Sequence, residues 1–61
     1  MSAARVTIGS VWHVSGRQFT VVETGRGKVR LSVDDSPGAW VNTSAAYVLR
    51  NYTPGPLPTK D

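Results

Sequence analysis

The chain has 61 residues, no cysteine, one histidine and a formal net charge of +3. That length provides one small domain at most. Neither disulfides nor thiolate–metal sites can brace it, and the cationic balance favours acidic partners, nucleic acid among them. Hydrophobic residues at 39% and charged residues at 18% exclude a disordered chain, and no apolar run approaches the ~20 residues that cross a bilayer.

Residues 1–5 are expected as a flexible N-terminal arm, and they lack the apolar stretch expected behind the charge of a secretory leader. A first strand is expected over Ser10 to Val14, with a start as early as Val6 left open, before the turn Ser15-Gly16-Arg17. Gln18 to Thr24 is rich in β-branched and aromatic residues and reads as a second strand. Gly25-Arg26-Gly27 is a tight connection to a third strand, Lys28 to Val33. There Val29, Leu31 and Val33 share one face and Lys28, Arg30 and Ser32 the other. In Asp34-Asp35-Ser36-Pro37-Gly38, Pro37 presets the first central φ of a type II turn and Gly38 accepts the positive φ of the second. A fourth strand follows over Ala39 to Thr43. Thr43 to Tyr47 suits a single 3₁₀ turn, and Val48 to Tyr52 a short fifth strand. The segment from Pro54 is expected as an extended tail, because proline has no N–H for a ladder. The domain therefore runs over residues 6–53, with a Pro-rich C-terminal tail at 54–61.

Five short strands with one 3₁₀ turn before the last make an all-β chain whose plan resembles the SH3-like barrel class, Tudor-like and KOW-like modules included. The stretch GSVWHVSGRQFTVVETGRGKVRLSVDDSPGAWVNTSAAYVLRNYTP is also similar to small proteins of bacteriophages that infect actinobacteria. The resemblance is one of order and spacing and brings no catalytic motif. It implies a small five-stranded SH3-like barrel and, in a phage setting, a host or virion protein as partner. The ALYDY-type segment of peptide-binding SH3 domains is missing.

The candidate site is a basic hairpin: Arg17 at the entry to the second strand, Arg26 at the hairpin tip, Lys28 and Arg30 on the solvent face, and Arg50 if the last strand closes nearby. Arginine offers phosphate a bidentate hydrogen-bonding fork. Trp40, Tyr47 and Trp12 are candidates for an aromatic platform against the alternative that they fill the core. Trp40 and Val41 are neighbours in a strand, so only one of them can point inward. Catalysis is not expected, because His13 has no nucleophile and orienting group in a recognisable pattern, and neither a cofactor nor a metal is implied. Asp34 and Asp35 are expected to serve their turn. The chain reads as a cytoplasmic, non-catalytic binding module for nucleic acid, with a protein-interaction module, an acidic protein for example, as the alternative. Self-association through a sheet edge or the Trp40 face would add stability to so small a fold.

Overall fold

The structure is a computed structural model that describes residues 5–58; residues 1–4 of the expected arm and 59–61 of the tail lie outside the described residues. It is mostly β. Strands β1 (Val11–Val14), β2 (Arg17–Gly25), β3 (Lys28–Val33), β4 (Trp40–Ser44) and β5 (Thr53–Pro54) form one antiparallel sheet in the order β4-β3-β2-β1-β5, with helix α1 (Ala45–Asn51) between β4 and β5. Successive strands are neighbours from β1 to β4, and β5 returns to pair with β1 through Trp12↔Pro54 and His13↔Thr53.

The turns explain the register. Ser15 and Gly16 have φ 52 and 76, and Arg26 and Gly27 have φ 52 and 80. Positive φ at both central residues is the type I′ turn whose twist matches paired strands. Between β3 and β4, the Ala39 N–H donates to the Ser36 carbonyl at 2.9 Å around Pro37 and Gly38 (φ 89), as the type II reading requires. Ahead of β1, the Ser10 hydroxyl folds Thr7 to Ser10 into a turn, donating to the Thr7 carbonyl at 2.6 Å and accepting from the Thr7 N–H. The strand therefore begins only at Val11.

Trp12, Phe19, Val21, Val29, Leu31, Val33 and Val48 are buried and make the core. Six of them come from one face of β1, β2 and β3, and α1 closes that face with Val48, which is fully buried. Burying each such side chain contributes about 1.5–3 kcal/mol. Trp12 also needs a partner for its indole N–H, and finds the Ser10 hydroxyl at 3.0 Å.

Two expectations are corrected. The 3₁₀ turn is a seven-residue α-helix, and Val48 to Tyr52 is not a strand. A helix this short is marginal alone. Here the Ser44 hydroxyl caps it by accepting from the Tyr47 N–H at 3.1 Å, and Ala45, Val48 and Tyr52 recur at helical spacing toward the core. The second correction concerns Pro54, which joins the ladder. It does so on an edge strand, where a missing N–H costs nothing if that side faces away from the neighbour. The chain then stays on the sheet: the Gly55 N–H donates to the Val11 carbonyl at 2.8 Å, and the Leu57 N–H to Gln18 Oε1 at 3.1 Å.

Candidate functional site

Alternation in β3 sends Lys28, Arg30 and Ser32 to the face opposite the core. On β4 the inward residue is Val41, packed at the core margin, so Trp40 and Asn42 join that outer face and Trp40 is 59% exposed. The register pairs Arg30 with Asn42 and Ser32 with Trp40. The Arg30 guanidinium reaches diagonally over the Trp40 ring, 5.2 Å from its centre, while its Nε donates to Asn42 Oδ1 at 3.1 Å. A cation over an exposed indole is worth about 0.5–1 kcal/mol.

Glu23 completes this group, and simple alternation would have sent it to the core side with Phe19 and Val21. A β-bulge between Val21 and Glu23 prevents that: Val22 and Glu23 together oppose Arg30. Glu23 Oε1 then lies 3.4 Å from the Arg30 guanidinium, both side chains being solvent-exposed. Such a pair contributes about 0–1 kcal/mol, and it removes one positive charge from the strip. An open concavity of about 710 Å³ lies at this end of the sheet, with Glu23, Lys28, Arg30, Asn42 and Ser44 in its walls.

Lys28, Arg30 and Trp40 therefore share the outer face of the β3–β4 pair, with Lys28 opposite Ser44 at the end next to the Arg26 turn and Trp40 opposite Ser32 at the other end. Arg17 does not join them. It pairs with Val14 at the far end of β2, eight residues from Gly25, or roughly 26 Å of strand. Arg50 lies in the last turn of α1, the helix that covers the opposite face of the sheet. Trp12 is not a platform at all: it is 1% exposed and paired with Phe19 in the core. Tyr47 is 52% exposed, but on α1, with its ring 6.2 Å edge-on to Tyr52, which in turn meets Phe19 at 5.3 Å. Burial raises the Tyr52 phenol above its ordinary value of 10.0, and the neighbouring Tyr47 adds to the rise.

The other half of the outer face is occupied by the chain itself. Asp34 accepts from Gln18 Nε2 at 2.6 Å and from Thr20 Oγ1 at 2.8 Å, so it ties its turn to β2. His13 Nδ1 lies 2.9 Å from the Gly55 carbonyl and donates to it. Among the described residues no three His, Cys, Asp or Glu side chains gather as a metal site, and no helix is long and apolar enough to cross a membrane. Asn42 and Glu23 are members of the outer face that the sequence reading missed. The alternation of Trp40 with Asn42 carried the signal for the first; the bulge left none for the second. Comparison with protein-family models, with curated proteins and with solved structures returns no match for this chain.

Proposed function

We propose that the chain is a non-catalytic binding module whose β3–β4 face takes single-stranded nucleic acid. The observation that carries this reading is the Arg30–Trp40 pair, an exposed indole under a guanidinium on the outer face that also carries Lys28. Single strands bind where cations follow the backbone and an aromatic face stacks a base, an arrangement that needs no sequence-specific contact. The strand order, a four-strand meander whose fifth strand returns to β1, supports an SH3-like barrel as the underlying plan. The resemblance to small actinobacterial phage proteins implies a cytoplasmic setting in an infected host, which is part of this proposal.

The test is fluorescence anisotropy with a labelled single-stranded oligonucleotide and the matching duplex, at low and moderate salt, together with Trp40→Ala. Binding should favour the single strand, and the variant should lose about 1–3 kcal/mol of it, the worth of one stacked base. Its stability should be nearly unchanged, because Trp40 contributes little to the core. Absence of binding to either probe at low salt would overturn the reading. Capture of an acidic peptide in its place would make the same face a protein-interaction surface.

A further inference from the structure

The two edges of the sheet are guarded very differently. β5 is two residues long and contains Pro54, and both features blunt an edge against pairing. β4 is five residues, Trp-Val-Asn-Thr-Ser, with no charged residue and no proline. The bonds that bracket the β3–β4 ladder set its phase: Val33 N–H to the Ala39 carbonyl at 3.0 Å, and Ala45 N–H to the Gly27 carbonyl at 2.8 Å. In an antiparallel ladder alternate residues exchange both bonds with the neighbour. Ala39, Val41, Thr43 and Ala45 therefore turn their backbone groups to β3, and Trp40 and Asn42 turn theirs to the open edge.

We propose that β4 pairs with β4 of a second copy of this chain, about a two-fold axis at Val41. The occupant follows from the geometry. Trp40 and Asn42 are two residues apart, so an antiparallel copy centred on Val41 sets Trp40 opposite Asn42 of the second copy and Asn42 opposite its Trp40. Both outward donors and both outward acceptors on each strand are then used in reciprocal pairs. The register keeps Trp40, Asn42 and Arg30 of both copies on the same outer face, because directly paired residues share a face. Charge does not oppose it: the Arg30 guanidinium of each copy is already paired with its own Glu23. The contact is one strand long, about 17 Å, and covers less than the roughly 800 Å² per partner of a standard stable interface. The dimer is therefore weak and its population concentration-dependent. This inference is independent of the nucleic-acid reading.

The experiment combines sedimentation over roughly a hundredfold range of protein concentration with amide hydrogen exchange on the unmodified chain. The mass should climb from monomer toward dimer, and protection of the Trp40 and Asn42 amides should climb with it. Asn42→Pro removes an outward N–H that the monomer does not use and should hold the mass at monomer. A constant monomer mass with rapid exchange at both amides overturns the proposal. So does a dimer whose concentration-dependent protection falls elsewhere, on α1 for instance. The exchange data decide even if the proline variant does not fold.

Discussion

At the scale of single residues, two positions carry tension that can be measured. Arg26 sits at φ 52 in the β2–β3 turn, a conformation that costs an ordinary side chain about 1–2 kcal/mol and that asparagine tolerates far better. Arg26→Asn makes the turn Asn-Gly, the favoured type I′ pair. It should raise unfolding free energy by about 0.5–1 kcal/mol in urea titrations while weakening binding to a single-stranded oligonucleotide. A variant less stable than the parent would show that Arg26 makes contacts that outweigh its backbone strain. Tyr52 supplies the pH dependence. Its folded-state pKa is raised, first by burial and then by Tyr47, so the folded state holds its proton more tightly than the unfolded one. The resulting stability is fully present below the ordinary value of 10.0 and is lost as pH rises from there through the folded pKa. Thermal unfolding between neutral and strongly alkaline pH should show the fall, and Tyr52→Phe, which keeps the ring against Phe19, should flatten that part of the curve.

At the scale of elements, the tail is the clearest case. Truncation after Pro54 removes the Gly55 hydrogen bond to Val11, the Gly55 carbonyl from His13, the Leu57 hydrogen bond to Gln18 and a half-buried leucine. Each hydrogen bond is worth about 1 kcal/mol net. Against them stands the entropy of ordering three residues at about 1–2 kcal/mol each, reduced where Pro56 and Pro58 already restrict the unfolded chain. The balance predicts a loss of about 1 kcal/mol on truncation, read from the urea midpoint. A truncated chain as stable as the parent would mean that residues 55–57 rest on β1 and β2 without holding them. The helix follows the same logic in reverse: α1 is too short to persist alone, and the Ser44 cap with Val48 in the core keeps it formed.

At the scale of the whole molecule, a net charge of +3 sets the long-range attraction to any polyanion, but its distribution sets what a ligand meets. Arg26, Lys28 and Arg30 cluster at one end of the outer face, whereas Arg17 and Arg50 lie at the far end of β2 and on α1. A single strand that engages only the clustered three should give a slope of log affinity against log salt of about −2. A slope approaching about −3.5, the value for all five of these cations on the same scale, would mean that the ligand wraps the domain. If the β4 edges pair, two such clusters share one continuous sheet, and affinity for a longer oligonucleotide should then rise with protein concentration.

Local chemistry made part of this legible from the residues alone. The strict alternation in β3, the Pro37-Gly38 turn and the β-branched run of β2 act over a few residues, and each stands in the structure as the pattern implies. The basic pair Lys28 and Arg30 is outward for the same reason. What the tertiary structure decided are matters of which side and which neighbour. Val41 rather than Trp40 turns inward because β4 pairs in a register set by its turn, and Trp12 is buried because its side of β1 is the core face that Val48 of α1 also joins. Glu23 reaches Arg30 only through a bulge, and the stretch after Ser44 is helical because the open face of the sheet needed Val48 to close it. Such outcomes depend on contacts between residues distant in the chain, and propensity and periodicity do not encode those contacts.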